Sequence, residues 1–263
     1  MRISPNARQR KEKILITGGA SGIGAATARF LADEGYVPIV VDIASGTSHD
    51  DSSEGILVWP DSVDVTDEAA VENAVAQIEA QHGPIEGLVN AAGILGKMHT
   101  PDRLAMSDWD HEIAVDLRGT FLTCRAVGSR MAQRRAGAIV NIASVAGMSS
   151  GPLHGYAPAK AAVINLTATL AAEWGPHGVR VNAVSPGFTN TKALQAGIAS
   201  GVLSAEQLTD VAAMRRLVEP HEIASTVSWL LGPGASAVTG ANIPVDAGFI
   251  CGTTWQAYGG LRK

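Results

Sequence analysis

The sequence predicts an α/β protein, a single doubly wound parallel sheet of about seven strands with helices on both faces. Short apolar, β-branched runs alternate with longer helical patterns along nearly the whole chain, as in parallel strands joined by crossover helices. A glycine-dense turn falls between the first run and the first helical pattern. No linker rich in Pro, Gly and Ser divides the chain, and no internal repeat occurs. With 263 residues, 46% of them hydrophobic, one large core is expected.

Strand patterns run over Lys13–Thr17, Val37–Asp42, Ile56–Trp59, Gly87–Asn90, Ala138–Ile142, Arg180–Val184 and Asn242–Val245. Helical patterns run over Ile23–Glu34, Asp67–Gln81, Asp108–Gln133 and Tyr156–Trp174. Thr66 and Ser107 stand where N-caps belong, and Gly35 and Gly83 stand where the chain leaves a helix. Ser204 with Gln207 reads as a capping box opening a further helix. Two segments break the alternation. Ala44 to Gly55 is dense in Ser and Asp, so the crossover after the second strand is expected to lack a proper helix. Pro186 to Gly201, followed by the Ser204 helix, reads as a mobile lid. The expected organisation is a basic extension over residues 1–12 and one domain over 13–263, with a C-terminal tail from 249.

Composition excludes several classes. The net charge is −5 and no basic stripe follows the first few residues, which argues against a nucleic-acid partner. The two cysteines, Cys124 and Cys251, lack the paired spacing of a disulfide framework or a metal site. Met1 to Lys13 carries no apolar run of the secretory kind, and no stretch reaches the ~18–20 apolar residues of a membrane span. A cytoplasmic protein with reduced thiols is expected.

The turn Thr17-Gly18-Gly19-Ala20-Ser21-Gly22-Ile23-Gly24 lets the backbone approach a pyrophosphate at a helix N-terminus. Alone it is a weak signal. Its weight comes from the strand–turn–helix context and from Asp42 at the end of the second strand, a Rossmann-type arrangement. The Asp42 carboxylate can accept hydrogen bonds from the adenosine ribose hydroxyls and would repel a 2′-phosphate. Neither Gly19 nor Ile43 supplies a basic side chain against that repulsion, so NAD is the expected cofactor.

Over Thr17 to Gly248 the chain resembles the short-chain dehydrogenase/reductase family. The resemblance rests on Gly18, Gly22 and Gly24, Asp64-Val65, Asn90-Ala91-Ala92-Gly93, Ser144, Tyr156 with Lys160, and Pro186-Gly187 followed by Thr191. It implies that Asp64 and Val65 contact the adenine, that Asn90 and Gly93 line the adenosine side, and that Thr189 and Thr191 hold the nicotinamide amide or phosphates. Ser21, Ile23, Ala91, Pro186 and Gly187 belong to the same expected cofactor lining, and a homotetramer is the expected assembly.

Tyr156 and Lys160 are four apart on a helical pattern and so share one face. Ser144 follows the strand Ala138–Ile142 into a loop at the edge where ligands bind in open α/β sheets. An ammonium ~4 Å from a phenol, at an effective dielectric of ~20, favours the phenolate by about 4 kcal/mol. The expected roles follow. Ser144 steadies the substrate oxygen, Tyr156 exchanges the proton, Lys160 eases its loss and holds the nicotinamide ribose, and hydride passes between nicotinamide and a secondary alcohol or ketone carbon.

The chain departs from the family pattern twice. Tyr156-Ala157-Pro158-Ala159-Lys160 has Ala159 where a serine is usual, with Pro158 tolerated near a helix start. Asp116, in Val115-Asp116-Leu117-Arg118-Gly119, replaces an asparagine that by resemblance holds a water linking the lysine to solvent. Aspartate can accept the same bond, but its charge stabilises the ammonium and opposes ionisation of Tyr156. The alternative is that Asp116 points away and packs locally.

Leu95, His99, Met148, His154, Phe188 and Trp255 are the expected substrate lining, suited to a small polyol, hydroxy acid or sugar-derived ketone. Each histidine is more often a surface or core residue than a ligand contact. The aromatic tail Phe249 to Tyr258 is expected to pack on its own or a neighbouring subunit. A 3-oxoacyl carrier reductase is an alternative enzyme, disfavoured by Asp42 and the missing basic patch. A catalytically silent NAD-binding sensor or scaffold is the alternative from another class.

Overall fold

The computed structural model describes residues 12–44 and 55–261. The strands are β1 (Lys13–Thr17), β2 (Val37–Val41), β3 (Leu57–Val58), β4 (Ile85–Asn90), β5 (Gly137–Ile142), β6 (Val179–Pro186) and β7 (Asn242–Val245). They form one sheet in the order β3-β2-β1-β4-β5-β6-β7, and every pairing is parallel. The helices are α1 (Gly22–Asp33), α2 (Glu68–His82), α3 (Met106–Ile113), α4 (Thr120–Arg134), α5 (Tyr156–Trp174), α6 (Lys192–Ala199), α7 (Ala205–Val211), α8 (Pro220–Leu231) and the short α9 (Phe249–Gly252). The expected doubly wound sheet is what the chain forms.

The strand sequences explain why both faces are covered. In β1 the two-residue period sends Ile14 and Ile16 to one face and Leu15 to the other, and all three are buried. On the first face Ile14, Ile16, Val40, Val89, Val140 and Val184 pack against Ala28 and Leu31 of α1 and Ile223, Val227 and Leu230 of α8. On the second, Leu15, Ile39, Leu88, Ile139 and Val181 meet Val71, Val75 and Ile78 of α2, Val127 and Met131 of α4 and Leu170 of α5. Each such Val, Leu, Ile or Met side chain contributes about 1.5–3 kcal/mol through burial. From β1 the chain first builds outward to β2 and β3, then returns to β4 on the other side. This reversal opens a crevice at the carboxyl ends of β1 and β4, where Thr17 and Asn90 lie level.

Several sequence expectations shift. Strand β2 ends at Val41, one residue before Asp42, and β3 keeps only Leu57–Val58. The cap of α2 is Asp67, whose carboxylate accepts from the N–H groups of Ala69 and Ala70, whereas Thr66 donates to Asp64. Ser107 is not a cap either, because α3 starts one residue before it, after Ala105. Ser204 completes only half of its box, accepting from Gln207 N at 3.3 Å. The lid segment carries α6, and α8 is an additional helix, opened by Pro220 at its first position and by Glu222, which accepts from Glu219 N at 2.9 Å. Residues 1–11 of the expected extension and 45–54 of the expected irregular crossover lie outside the described residues.

The single helix expected over Asp108–Gln133 runs as α3, a π-helical segment over Ala114–Gly119, and α4. The widened turn frees carbonyl groups, and hydroxyls answer them: Thr120 donates to Asp116 O at 2.9 Å and Thr123 to Gly119 O at 3.0 Å. Asp116 sits in this segment.

Candidate active site

The loop from β1 to α1 is shaped by its glycines. Gly18 and Gly22 adopt φ of +65° and +54°, in the left-handed region that favours glycine. A Cβ on Gly18 would lie 2.6 Å from the backbone of Ala92, and one on Gly24 would overlap the Gly18 carbonyl oxygen. The turn is therefore drawn against the loop after β4 and closed on itself. Ser21, the extended N-cap of α1, forms no side-chain cap bond among the described residues, and the first turn of α1 carries no acid. The first turn of α1 thus carries neither a side-chain cap nor an acid of its own to offset its partial positive charge, which suits a pyrophosphate. Ile23 is half-buried behind them.

Asp42 reaches back over this turn. Its carboxylate accepts from Ala20 N at 3.0 Å and from Ala44 N at 3.2 Å. Asp64 is engaged by the backbone N–H and hydroxyl of Thr66, both at 2.8 Å, and Val65 is buried beside Gly119. Val63 N donates to Asp42 O at 2.9 Å, so this segment lies against the end of β2.

At the end of β4 the side chain of Asn90 turns inward. Its amide donates to Asn141 at 2.9 Å and to Cys124 Sγ at 3.1 Å, and its oxygen accepts from Thr123 at 2.5 Å. Burial pushes the Cys124 thiol up to about 12, which keeps it protonated. Ala91 is tied to Thr17 through its N–H, at 3.2 Å. Gly93 passes so close that a Cβ there would lie 2.6 Å from Asp116 Oδ1 and 3.3 Å from Lys160 Nζ.

The loop after β5 and the start of α5 lie side by side, joined through Lys160 and Ile142. Ser144, 7% exposed, follows β5 and accepts from Ala146 N at 3.1 Å, which leaves its own proton to donate. Tyr156 opens α5. One turn on, Lys160 lies under it, with Nζ 5.5 Å from the centroid of the Tyr156 ring. Lys160 is 4% exposed; it donates to Ile142 O at 3.1 Å and pairs with Asp116 Oδ1 at 3.3 Å. Its charge is thus shared with Asp116, a tie that spacing alone does not reveal.

Asp116 is fully buried. Its Oδ1 also accepts from Ile94 N at 3.1 Å, while Oδ2 has no hydrogen-bond partner among the described residues. Burial raises its carboxyl above the usual 3.8 even though Lys160 opposes the rise. Desolvation outweighs a single ion pair here. Asp116 therefore faces the lysine, not a local packing niche. Glu112, one turn earlier, is 4% exposed and was not among the sequence candidates. The only sequence signal for it is its i, i+4 spacing to Asp116.

The remaining candidates are spread over the segments after β4, β5 and β6 and the C-terminal tail. Pro186 ends β6, and a Cβ on Gly187 would lie 2.7 Å from Asp246 Cα. Thr189 is buried and bridges to Val218, while Thr191 caps α6 by accepting from Leu194 N at 3.3 Å. The Thr191 methyl lies 3.9 Å from where a Gly22 Cβ would be, so lid and glycine turn face each other. Phe188 stacks edge-on with Phe249 at 5.1 Å, joining lid to tail. Leu95, Met148 and Trp255 are exposed, at 67%, 41% and 45%. His99 is exposed, and His154 is half-buried, its carbonyl accepting from Trp109 Nε1 at 3.2 Å. No group of His, Cys, Asp and Glu able to hold a metal occurs among the described residues.

A family model described as enoyl-(acyl carrier protein) reductase matches residues 18–250. Levodione reductase from Leifsonia aquatica is 35% identical over 257 residues, covering 93% of this chain and 96% of that protein. The chain belongs to the short-chain dehydrogenase/reductase family. D-threitol dehydrogenase from Mycolicibacterium smegmatis is 35% identical, covering 89% of this chain and 91% of that one. A solved structure described as ribose-5-phosphate isomerase from Brucella melitensis 16M is 48% identical, with a TM-score of 0.92, covering 98% of this chain and 99% of that one. As a short-chain dehydrogenase/reductase the chain is an oxidoreductase acting on CH–OH groups. The family binds a nicotinamide cofactor, and the uncapped N-terminus of α1 behind its glycine turn fits one.

Proposed function

We propose that this short-chain dehydrogenase/reductase is NAD-dependent and oxidises a small polyol or sugar-derived secondary alcohol, or reduces the matching ketone. The observation that carries the reading is Tyr156 on the first turn of α5 with Lys160 beneath it, at the strand ends beside the glycine turn. When bound, the nicotinamide supplies or takes the hydride. Ser144 donates its free proton to the substrate oxygen and steadies the charge that develops there. Tyr156 takes the alcohol proton during oxidation and returns it during reduction. Lys160 favours the phenolate and holds the cofactor ribose. Asp42, Asp64, Val65, Gly93, Thr189 and Thr191 line the cofactor site, with Asn90 and Ala91 contributing backbone. Leu95, His154 and Phe188 line the substrate side. We place the enzyme in the cytoplasm as a homo-oligomer, a tetramer by family likeness.

The threitol dehydrogenase likeness supports a polyol substrate. A panel of tetritols, pentitols, hexitols and simple secondary alcohols, followed as NADH absorbance, tests this; a flat panel with tight NAD binding would favour a silent binding protein. The Brucella likeness supports a second reading, isomerisation of a sugar phosphate. Ribose 5-phosphate belongs in the same panel, because isomerisation forms a ketose without forming NADH.

Asp42 decides the cofactor. In wild type, kcat/KM is expected to favour NAD over NADP, and Asp42→Ala to reduce that preference by about tenfold or more as the repulsion of a 2′-phosphate is lost. A wild type that already favours NADP overturns the assignment.

Asp116→Asn is expected to keep activity within a few-fold and to let oxidation reach half its maximal kcat/KM at lower pH. A unit charge acting over roughly 10 Å at an effective dielectric of ~20 is worth about 1.7 kcal/mol, or about one pH unit. The sign follows from the charge: losing a negative neighbour eases ionisation of the hydroxyl. Because the Asp116 carboxyl is raised, wild type itself becomes neutral there on acidification, and the two profiles should merge on the acid side. Superimposed profiles would mean that Asp116 does not act on the hydroxyl, and a shift to higher pH would contradict the electrostatic argument.

A further inference from the structure

Glu112 is a buried acid that the mechanism above leaves unused. It lies on α3, and its carboxylate fills space that two glycines vacate: a Cβ on Gly96, in the loop after β4, or on Gly155 would overlap its oxygens. Gly155 is the N-cap of α5 and directly precedes Tyr156. With no side chain, it cannot cap the helix that carries the tyrosine.

We propose that Glu112 is a positioning residue for Tyr156, a cap supplied from α3 that accepts from the Tyr156 N–H and locks the first turn of α5 against the loop after β4. The proposal rests on the reading that Tyr156 transfers the proton. A carboxylate at a helix N-terminus is favoured by the helix dipole and by the unpaired N–H groups there. Burial raises the Glu112 carboxyl; the Tyr156 N–H opposes that rise, while Asp116 and Asp108 add to it and His111 opposes it. Lys97, in the same loop as Gly96, is turned outward to Asp108 at 3.9 Å. The acid is thus held where its charge is costly, and the glycines on either side leave room for it and for nothing larger. Since Tyr156 is the first residue of the capped helix, a slackened first turn displaces the phenol directly.

Misplacing a reacting group by about 1 Å can cost ~10²-fold in rate. Glu112→Ala is therefore expected to lower kcat by about 10- to 100-fold, with KM and NADH affinity within a few-fold. Glu112→Gln keeps an acceptor oxygen and should recover most of kcat. Gly155→Ala forces a Cβ into the carboxylate and should lower kcat comparably. In the double variant Gly155→Ala/Glu112→Ala the loss should be smaller than the product of the single losses, because the methyl enters space the carboxylate has left. The proposal is overturned if Glu112→Ala keeps full kcat, if Glu112→Gln is as damaged as Glu112→Ala, or if the two losses multiply. Where Glu112→Ala yields no folded protein, Gly155→Ala decides: reduced kcat with retained NADH binding supports the cap, and unchanged kcat overturns it. Full activity of Tyr156→Phe would instead defeat the underlying reading of the tyrosine, a separate result from the coupling of 112 to 155.

Discussion

Tyr156→Phe is expected to lower kcat by about 10²–10⁴-fold while leaving NADH binding within a few-fold. The substitution removes one hydroxyl and keeps the ring, so the packing of Lys160 under that ring is preserved. What disappears is the group that exchanges a proton with the substrate oxygen. Ser144 does not replace it, since a serine hydroxyl held by Ala146 N can donate a hydrogen bond but is a poor base at neutral pH. The cofactor contacts proposed for Lys160 and the glycine turn are untouched, so NADH titration by fluorescence should give nearly the wild-type Kd. Retained turnover would eliminate Tyr156 as the proton-transfer residue.

Lys160→Met is expected to cost about 10²–10³-fold in kcat/KM and to lower thermal stability as well. The chemical loss reflects the missing ammonium beside the phenol and the ribose. The stability loss has a different origin. Asp116 is fully buried, one of its oxygens already lacks a partner among the described residues, and Lys160 is its ion-pair partner at 3.3 Å. Removing one member of such a pair costs on the order of 3–5 kcal/mol unless the carboxyl takes up a proton. The double variant Lys160→Met/Asp116→Asn should recover most of the lost Tm and none of the lost activity. Recovery of both would mean that Lys160 serves the fold alone; recovery of neither would mean that the pair does not carry the stability.

The sequence showed most of what depends on local pattern. The run Lys13–Thr17, the glycine turn and α1 were legible because each has its own signature: β-branched residues, glycines where the backbone must turn tightly, and helical periodicity. The approach of Lys160 to Tyr156 was legible from their four-residue spacing on one helix. Helix α8 was missed because it opens on Glu219-Pro220-His221-Glu222, a charged start without the small polar cap that usually marks a helix. The π segment around Asp116 was invisible because a shift of hydrogen-bond partner along a helix leaves no residue signature of its own. Asn90 was placed at the site by the family resemblance, yet its side chain is committed to Asn141, Thr123 and Cys124 in the core. Glu112 was missed for the opposite reason. A charged residue on a helix ordinarily reads as solvated, and only the two glycines that make room for it, distant in sequence, reveal that it is buried.

The most direct test of the account follows the hydride itself. A polyol oxidised in the panel is prepared with deuterium on the reacting carbon, incubated with the enzyme and NAD, and the reduced cofactor is weighed by mass spectrometry. Direct transfer between carbon and nicotinamide predicts NADH one mass unit heavier, formed by wild type and lost with Tyr156→Phe. Deuterium released to water, or a ketose formed while NAD stays oxidised, would contradict the account and point to isomerisation.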